Sequence, residues 1–541
     1  MSGGSIAFVL HSHLPWLRRN GVFPVGEEWL FQSWSESYLP LISVLEGLAA
    51  DGLRDVATMG ITPILAEQMT DPYLLSEFHG WLGRRVLDLQ WSMSAGPAHD
   101  FDVLGPVWRH HWQRQSDLLA QLEDGLLEGG LIAPLARLAD AGVIQLLGGP
   151  ATHPYLPLMD DPALIRGQMT AGLDIGHQTT GSRPTGVWTP ECGYRPEGHV
   201  GDPTAPPQHV MPDGTPILRP SGVTLPGIEA FWAEAGVDHL VLDGPTLARA
   251  AGAPSRDWGN TARDLHQPGD PMDVLDRPVW IGDSDVAAFG RNLAVSYAVW
   301  NPHGGYPADV WYRDFHAIDL EGGFKSWRVT DTTSLVKQPY SPAAAAERVQ
   351  AHAQDFVGLL HAHLDARPDQ SCVVAAYDTE LFGHWWYEGP QWLDAVLRAI
   401  ALDPELRTTT LQATMHHAPP VRRLHLPESS WGWGKGHAAW VTEETRWIWH
   451  EIRSAEARFH TLPPGPTRQA AWRQLSLLQA SDWPFMIARD QATQYAVERV
   501  KTHLARFEQA CGGRHLDQLR ATDDPGGRLC TVPLLPDTTV S

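Results

Sequence analysis

Short apolar runs alternate along this chain with longer segments in which apolar residues recur every three or four positions. An unbroken apolar run is typical of a strand buried on both faces, whereas the longer spacing is typical of a helix. Besides the runs that precede Glu191 and Asp378, strands are predicted at 6–10, 56–65, 143–147 and 239–242. Helices are predicted at 37–50, 72–89, 107–127, 132–141, 163–179 and 229–235. This alternation predicts an α/β fold with a mainly parallel sheet.

Three regions depart from the alternation. The helical patterns that follow residue 96 have few strand signals between them, which indicates an inserted helical block. Residues 198–226 and 252–278 are rich in Pro, Gly and Asp and lack periodicity, so both are predicted to be loops over the catalytic face. From Glu443 onward a C-terminal helical domain is expected, with helices at 443–461, 467–481 and 490–510.

Two acids follow predicted strands. Glu191 comes shortly after Trp188, and Asp378 ends the run that begins at Cys372. In barrels of parallel strands, catalytic residues gather at the carboxyl ends of the strands. Two acids placed there could act as nucleophile and acid/base on a glycosidic bond. The simpler explanations are an exposed Glu at a turn for the first acid and a helix N-cap for the second.

The surroundings of both acids favour a shaped cleft over these simpler explanations. Trp188 and Tyr194 flank Glu191, and a dense polar and aromatic cluster at 384–387 follows Asp378. If strand geometry continued, Glu380 would share a face with Asp378, because alternate residues of a strand point to the same side. Glu380 is therefore interpreted as a supporting partner of the second acid.

A glycine-rich segment at 429–437 contains two tryptophans, Trp431 and Trp433. Glycine lets a loop approach a ligand closely, and an indole ring offers a flat apolar face to a sugar. The alternative is a linker before the helical domain. Linkers seldom contain paired tryptophans, so an aromatic platform is favoured.

His11 and His13 follow the first strand two residues apart, so their side chains should point to one face. They could bind a polar substrate, or bind a metal if His153 or an acid supplied a third ligand. They could also be structural histidines packed under a loop. The motif alone leaves these three explanations open.

The composition of the chain indicates which kinds of binding partner are expected. The 541-residue chain has a formal net charge of −23, which disfavours nucleic acid and anionic membranes as partners but not a neutral polysaccharide. Among the four cysteines there is no CxxC pair, and Cys192 and Cys372 are predicted to be buried thiols. No signal peptide or membrane span is predicted, so a cytoplasmic location is expected.

Five motifs, in order along the chain, resemble glycoside hydrolase family 57, whose members act on α-glucans. They are 11–15 with His11 and His13, 149–154 with His153, 188–191 with Glu191, 377–386 with Asp378, and the tryptophan-bearing segment after Glu428. Within the family the chain is most similar to the 1,4-α-glucan branching enzymes. The segments that carry this closer similarity are 26–29, 305–307, 311–316, 430–432 and 481–485.

The resemblance implies an incomplete (β/α)7 barrel at 1–95 and 150–425, an inserted helical domain at 96–149 and a C-terminal helical domain at 426–541. It implies that Glu191 is the nucleophile and Asp378 the acid/base, with no metal and no cofactor. The expected substrate is an α-glucan such as amylose, amylopectin or glycogen, and a monomer is favoured. The implied substrate-binding residues are His11, His13, Trp29, His153, Arg291, Trp300, Trp431, Trp440, Asp482 and Gln491.

Two departures from the branching-enzyme pattern concern the acceptor. Those enzymes have a long loop over the cleft with a tyrosine at its tip, whereas the comparable segment 252–278 has no Tyr, and its one aromatic is Trp258. A glycine that is common after the Gly-Tyr-Pro motif is Ala308 here. Branching is the main hypothesis. The alternatives are an α-1,4-glucan hydrolase, a non-catalytic glucan-binding protein and, resting on the histidines alone, a metal-dependent deacetylase.

Overall fold

The computed structural model describes residues 4–23, 25–95, 98–125, 127–212, 214–253, 274–301, 304–318, 323–331, 333–364, 371–524 and 526–528. The side chains of residue 95 and of residues 98–102 are outside this description. Of the loop predicted at 252–278, therefore, only the two ends are described, and Trp258 lies outside the described residues.

Fourteen strands are present in the described residues. They are β1 Gly4–Ser12, β2 Ala57–Ile61, β3 Ile144–Leu147, β4 Gly186–Trp188, β5 Gly198–Asp202, β6 His209–Val210, β7 Pro216–Ile217, β8 Arg219–Leu225, β9 His239–Asp243, β10 Val279–Ile281, β11 Ala287–Arg291, β12 Cys372–Asp378, β13 Leu406–Thr408 and β14 Arg423–Leu424.

Eighteen α-helices are described. They are α1 Glu27–Ser33, α2 Leu39–Ala50, α3 Pro63–Met69, α4 Pro72–Ala95, α5 Ala98–Glu123, α6 Ile132–Asp140, α7 Pro162–Thr180, α8 Ile228–Glu234, α9 Gly244–Ala250, α10 Leu293–Val299, α11 Pro342–Leu364, α12 Gly389–Leu402, α13 Leu411–His417, α14 Arg446–His460, α15 Pro466–Leu478, α16 Asp482–Ala488, α17 Thr493–Cys511 and α18 Leu516–Asp523.

Two sheets, largely parallel, form the centre of the molecule. In the first, the order is β12-β1-β2-β3, and β13 also pairs with β1. In the second, the order is β14-β10-β11-β9-β4, and only the β10–β11 pair is antiparallel. The register of the first sheet places His11 opposite Asp378, because β1 and β12 run in parallel from Ser5 and Cys372.

The two sheets are in contact at two places. A parallel bridge joins Gly148, just after β3, to Val187 of β4. On the other side, the backbone N–H of Asn292, just after β11, donates to the carbonyl of Val374 in β12 at 2.8 Å. The strand ends of both sheets therefore come close together.

Alternate residues of the strands enter two different apolar clusters. Ile6, Phe8 and Leu10 of β1 pack outward against helices such as α2, α11 and α12. Ala7 and Val9 instead belong to an inner cluster with buried side chains from both sheets: Leu147, Trp188, Cys192, Val241, Phe289, Cys372, Val374, Ala376 and Leu411. This two-residue alternation explains the unbroken apolar runs, because strands covered on both faces need apolar residues at every position.

The helices after residue 446 pack against the second sheet and its neighbouring segments in one apolar cluster, which includes Phe459, Trp472 and Trp483. This C-terminal helical region is tied to the strand ends by its backbone. Pro154 forms an antiparallel bridge with Ala480, and the N–H of Ser481 donates to the carbonyl of His153 at 2.9 Å. The region therefore reaches the place where the β3 loop emerges.

Most predicted elements are confirmed, with two local errors. The strand predicted at 56–65 ends at Ile61, and Pro63 begins α3, since proline fits the first turn of a helix. The loop predicted at 198–226 contains two antiparallel ribbons, β5–β8 and β6–β7. Within the described residues, no helix is both long and apolar enough to cross a membrane.

Candidate active site

One cleft of about 970 Å³ brings together all twelve residues that the sequence predicted for the site. Its floor lies at the carboxyl ends of the central strands, because Asp378 ends β12, Arg291 ends β11 and His11 is near the end of β1. The predicted side chains in the cleft are His11, His13, Trp29, His153, Glu191, Arg291, Trp300, Asp378, Trp431, Trp440, Asp482 and Gln491.

Glu191 lies in a strained turn directly after β4. It is the middle residue of a single 3₁₀ turn, Pro190–Cys192, and its φ of 61° is left-handed. Cys192 is also left-handed, with φ of 48°. Two such residues in succession cost about 1–3 kcal/mol each and are held only where the surroundings enforce them. The side chain is 13% exposed, so the exposed-turn explanation is wrong.

Two neutral donors hold the Glu191 carboxylate. The indole Nε1 of Trp431 donates to Oε2 at 2.8 Å, and the hydroxyl of Ser481 donates to Oε1 at 2.8 Å. Burial raises the pKa of Glu191 above its ordinary value, and these two hydrogen bonds oppose that rise because they stabilise the ionised form. The carboxylate is therefore fixed in place by groups that favour its charge.

Asp378 has a different environment at the end of β12. Burial raises its pKa well above the ordinary value, and the negative charges of Glu380 and Glu191 raise it further, while Arg291 opposes them. A 3₁₀ turn, Thr379–Leu381, follows Asp378, but no side-chain capping hydrogen bond from Asp378 is present. Asp378 therefore occupies the N-cap position of this short turn but does not cap it with its carboxyl group, and the surroundings favour a protonated carboxyl group.

Glu380 lies beneath the second acid. Because the 3₁₀ turn begins at Thr379, strand geometry does not continue to Glu380 as the sequence reasoning had supposed. The hydroxyl of Tyr38 and the backbone N–H of His13 both donate to its Oε1. Burial raises the pKa of Glu380 to about 7 against these donors. Glu380 borders the cleft, and its charge raises the pKa of Asp378.

The three predicted histidines form a stacked array. The ring centroids of His13 and His153 are 3.8 Å apart, and those of His11 and Trp188 are 4.5 Å apart. Burial lowers the pKa of both His11 and His153, so these rings are neutral. Against the effect of burial, Asp482 raises the pKa of His13, whose Nε2 lies 3.0 Å from an Asp482 oxygen.

The direction of each hydrogen bond made by the neutral pair, His11 and His153, can be assigned. Ser481 has one hydroxyl proton, which it donates to Glu191, so the Nδ1–H of His153 must donate to the Ser481 oxygen at 2.9 Å. A neutral His153 then accepts at Nε2 from the Nε2–H of His11, at 3.2 Å. The nucleophile side of the cleft is thus connected to β1 by a chain of directed hydrogen bonds.

His13, His153 and Asp482 could hold a metal ion, since one ligand atom from each lies within 4.8 Å of the others. Two imidazoles and a carboxylate match the ligand preferences of zinc. The same atoms already pair within the protein, as His13 with Asp482 and His153 with His11. The metal-free mechanism expected from the resemblance stays a prediction.

Aromatic side chains form the cleft walls. Trp29, Trp300, Trp385 and Phe315 line the cleft, and the ring centroids of Trp300 and Trp385 are 6.2 Å apart. Trp431 and Trp433 line it as well; Trp431 packs edge-on against Trp188 at 5.2 Å, and Trp433 is 51% exposed. The linker explanation for segment 429–437 is therefore wrong, because this loop lines the cleft.

Trp440 also borders the cleft, beside the loop at 429–437. It is fully buried and stacks on Tyr155 at a centroid distance of 4.3 Å. A Cβ atom at Gly432 would come within 2.7 Å of the Trp440 ring, so the loop needs glycine there to pack on this indole. Direct contact between Trp440 and a glucan stays a prediction.

Sequence reasoning missed several residues that hold the site. Ser481, Thr62 and Asp243 contact the predicted residues Glu191, His13 and Arg291 through hydrogen bonds or an ion pair. Tyr38 donates to Glu380, and Lys435 pairs with Asp243 and donates to the carbonyl of Trp431 at 3.5 Å. Ser481 precedes Asp482 in a motif that carried the resemblance, which was an available signal. Asp243 directly follows the strand predicted at 239–242, so the rule that marked Glu191 and Asp378 could also have marked it. Tyr38 lies in an ordinary helical pattern, where no local signal marks it.

Comparisons with known proteins match both parts of the chain. A family model described as "Glycosyl hydrolase family 57" matches residues 7–427, and one described as "1,4-alpha-glucan branching enzyme, C-terminal" matches residues 457–520. A 1,4-alpha-glucan branching enzyme of Thermococcus kodakarensis is 34% identical over 523 residues, covering 94% of this chain and 73% of that protein. A probable 1,4-alpha-glucan branching enzyme of Mycobacterium tuberculosis is 35% identical over 541 residues, covering 94% and 92%.

Solved structures give the same result. The crystal structure of the family 57 branching enzyme of Thermococcus kodakaraensis, in complex with glucose and additives, has a TM-score of 0.86 at 31% identity and covers 99% of this chain and 97% of that one. A family 57-type branching enzyme of Pyrococcus horikoshii has a TM-score of 0.84 at 29% identity and covers 100% and 98%. This chain belongs to glycosyl hydrolase family 57.

Proposed function

We propose that this protein is a retaining 1,4-α-glucan branching enzyme. It cleaves an α-1,4 linkage and transfers the released chain to a glucan 6-hydroxyl, which creates an α-1,6 branch. The observation that carries the proposal is the pair of buried acids in one cleft, one held by neutral donors and the other surrounded by negative charge. The relatives named as branching enzymes, which match nearly the whole chain, support the reaction.

In the first step, Glu191 is the nucleophile and Asp378 the acid. A carboxylate oxygen of Glu191 forms a bond to the anomeric carbon while the glycosidic C–O bond breaks. The leaving oxygen takes the proton of Asp378. The products are a covalent glycosyl ester on Glu191, an Asp378 carboxylate and the shortened glucan. Opposite environments suit the two roles, since the nucleophile must be ionised and the acid protonated.

In the second step, the 6-hydroxyl of an acceptor glucan attacks the anomeric carbon of the ester. Asp378, now a carboxylate, takes the hydroxyl proton while the bond to Glu191 breaks. Two inversions at the same carbon give net retention, and both acids return to their starting states. The aromatic walls would bind the two glucan chains, and the histidine array would bind hydroxyl groups of the sugar next to Glu191.

The second candidate is an α-1,4-glucan hydrolase. It is favoured by one feature of the sequence, the segment 252–278 without the tyrosine of other branching enzymes in the family. If water reached the glycosyl ester, it would replace the sugar hydroxyl as acceptor. Both candidates use the same two acids and differ only in the acceptor.

Product analysis separates the two candidates. The purified protein is incubated with amylose, and the product is treated with a debranching enzyme before chain-length analysis. Branching yields new short chains that appear only after debranching, with few new reducing ends beforehand. Hydrolysis yields reducing ends in proportion to the shortening and no chains released by debranching. The Glu191→Gln variant serves as the blank, and a product without new α-1,6 linkages would refute the proposal.

The same proposal extends to architecture and context. The seven strands β1, β2, β3, β4, β9, β11 and β12 would form the incomplete (β/α)7 barrel. The two contacts between the sheets and their shared inner cluster support this proposal. We retain the division into a barrel at 1–95 and 150–425, an insertion at 96–149 and a helical domain at 426–541. A cytoplasmic location, a monomeric state and the lack of nucleic-acid or membrane partners stay predictions.

A further inference from the structure

A fully buried carboxylate lies behind the cleft wall and pairs with two cations that line the cleft. Asp243 ends β9 and has no exposed surface. Its Oδ1 accepts from Arg291, at 3.0 Å from Nε and 2.8 Å from Nη2. Its Oδ2 lies 2.9 Å from the Nζ of Lys435. Oδ1 therefore pairs with a residue of β11, and Oδ2 pairs with a residue of the loop 430–437.

The charges in this cluster depend on one another. Burial raises the pKa of Asp243, but Arg291 and Lys435 outweigh it and hold the pKa below the ordinary value. The other titratable groups that interact with Asp243 are the thiol of Cys192 and the phenol of Tyr297, and burial raises the pKa of both. Removal of one partner from a buried ion pair leaves a charge without compensation, which is strongly destabilising locally.

Lys435 holds a loop whose backbone is strained. Lys435 and Gly434 are both left-handed, with φ of 59° and 66°. The N–H of Lys435 donates to Gly432 at 3.0 Å, and the N–H of Ser430 donates to Lys435 at 3.0 Å. Because a left-handed lysine is unfavourable by itself, the ion pair with Asp243 is a tertiary contact that stabilises this loop conformation.

The loop carries the donor for Glu191. The backbone N–H of Trp431 donates to the carbonyl of Glu191 at 2.9 Å, and its indole Nε1 donates to the carboxylate at 2.8 Å. The guanidinium of Arg291 lies over the same indole ring, 5.5 Å from the centroid. Both cations held by Asp243 therefore affect the position of Trp431. Lys435 acts through the loop backbone, and Arg291 acts through its contact with the ring face.

We propose that Asp243 is a positioning residue for the reaction, which fixes Arg291 and Lys435 so that Trp431 is held against the Glu191 carboxylate. Asp243 itself does not touch the cleft. The catalytic consequence of this inference rests on the proposed function. Its structural part, the fixing of loop 430–437 by one buried charge, is the same whether water or a sugar hydroxyl is the acceptor.

The structural part is tested by hydrogen exchange in Asp243→Asn, which keeps the size of the side chain and removes its charge. We expect faster exchange of the N–H groups of Ser430, Trp431 and Lys435, with helix α15 unchanged. The matched control is Asp523→Asn, since Asp523 is equally buried, pairs with Arg506 at 2.9 Å and lies outside the cleft. Unchanged exchange in loop 430–437, or equal acceleration by the control, would overturn the inference. This readout does not depend on the activity.

The catalytic part is tested with three variants: Asp243→Asn, Lys435→Met and the double variant. We expect Asp243→Asn to lower kcat about tenfold to hundredfold, the range for a misplaced transition-state contact. In Asp243→Asn the charges of Arg291 and Lys435 are no longer balanced, so they would favour the ionised form of Asp378 and lower its pKa. The basic limb of the pH–rate profile should therefore move to lower pH. The double variant restores the charge balance, so its basic limb should return toward that of the wild type.

Two outcomes would contradict the catalytic part. If the losses in the single variants multiply in the double variant, Asp243 and Lys435 act independently. If kcat falls with no movement of the pH profile, Asp243 has only a general structural role. Should Asp243→Asn fail to fold, Lys435→Met alone must still loosen loop 430–437 in hydrogen exchange. A wild-type enzyme that makes no α-1,6 linkages would refute the proposed function and leave the exchange result standing.

Discussion

Glu191 and Asp378 both follow central strands, yet their surroundings differ in kind. Glu191 lies in a left-handed turn and receives hydrogen bonds from two neutral donors, Trp431 and Ser481. Asp378 lies on extended backbone with φ of −68° and has the charge of Glu380 beside it. Neutral donors stabilise a carboxylate, whereas a neighbouring negative charge stabilises a carboxylic acid.

The difference shows how one cleft can hold two acids in opposite protonation states. Both groups are removed from water, and burial raises the pKa of each. Hydrogen bonds from the loop 430–437 and from the C-terminal helical region oppose this rise only at Glu191. At Asp378 the charges of Glu380 and Glu191 add to the rise and only Arg291 opposes it, whereas at Glu191 the charge of Asp482 adds to the rise that the two hydrogen bonds oppose. The difference in pKa between the two acids therefore comes from their neighbouring groups and not from how deeply each acid is buried.

The largest effect is expected from removing each acid. Glu191→Gln cannot form the glycosyl ester and should lose activity by about 10⁴-fold or more, as with other removed nucleophiles. Asp378→Asn cannot donate or accept the proton and should lose about 10²–10⁴-fold. Both are measured as total glucan bonds cleaved per second, with thermal melting to check the fold. A near-full rate in either variant would contradict the assignment of that acid.

A smaller effect is expected when one donor is removed from the nucleophile. Ser481→Ala removes a hydrogen bond to ionised Glu191, so the pKa of Glu191 should rise and the acid limb of the pH–rate profile should move to higher pH. The rate at the optimum should fall about tenfold, below the 10²–10³-fold cost of a direct transition-state donor.

The control for this change is Ser476→Ala. Ser476 is also fully buried, and its hydroxyl donates to the Trp472 carbonyl within α15, away from the cleft. Its pH–rate profile should match that of the wild type. An acid limb that stays in place in Ser481→Ala would mean that the serine does not stabilise the ionised nucleophile.

Removal of the charge beside Asp378 should act on the opposite limb. Glu380→Gln keeps an acceptor for Tyr38 and for the His13 N–H but removes a negative charge. The pKa of Asp378 should then fall, so the basic limb should move to lower pH, with a rate loss at the optimum below about tenfold. The measurement is kcat/KM of glucan cleavage across pH.

Glu388→Gln is the matched control for Glu380→Gln. Glu388 is equally buried, accepts from the backbone N–H of Arg313 at 3.1 Å, and burial also raises its pKa to about 7. Glu388 does not line the cleft, so the basic limb of the pH–rate profile of Glu388→Gln should not move. A shift of the same size in both variants would show that the effect is not specific to the neighbour of Asp378.

The smallest effect is expected from chelation. The proposed steps pass the proton and the glycosyl group between the two acids and the glucans, so EDTA should leave the rate unchanged within error. Among the residues that the structure describes, His13, His153 and Asp482 form the cluster that could bind a metal. A loss of activity on EDTA treatment that zinc restores would show that these residues hold a required ion and would overturn the metal-free mechanism.

The elements and the main site residues were predictable because their signals are local. Buried strands need continuous apolar runs, and β1, β3, β9 and β12 appear where such runs occur. The strand-end rule then located Glu191 and Asp378. Errors arose where local signals conflict, as at Pro63, which ends the apolar run of β2 by starting a helix, and at 198–226, where turn-rich strands lack alternation.

The supporting residues were not predictable, because their partners are hundreds of positions away. Ser481 and Glu191 are 290 residues apart in sequence, and Tyr38 and Glu380 are 342 apart. A serine at a helix start or a tyrosine in a helical pattern has many ordinary explanations. Only the packing of the C-terminal helical region and of Tyr38 against the strand ends gives these hydroxyl groups their role.

The sequence by itself predicted the α/β alternation and the helical C-terminal region from periodicity and, through the family resemblance, twelve of the residues that line the cleft. Periodicity and motif order are properties of neighbours along the chain, so they can be read without the fold. Only the tertiary structure decided which acid receives neutral donors and which receives negative charge. Protonation in a buried site depends on charges and hydrogen bonds within a few ångströms. In this protein the distant partners are Arg291 of β11, Trp431 of the loop 430–437 and Ser481 at the start of α16, which only folding brings to the two acids.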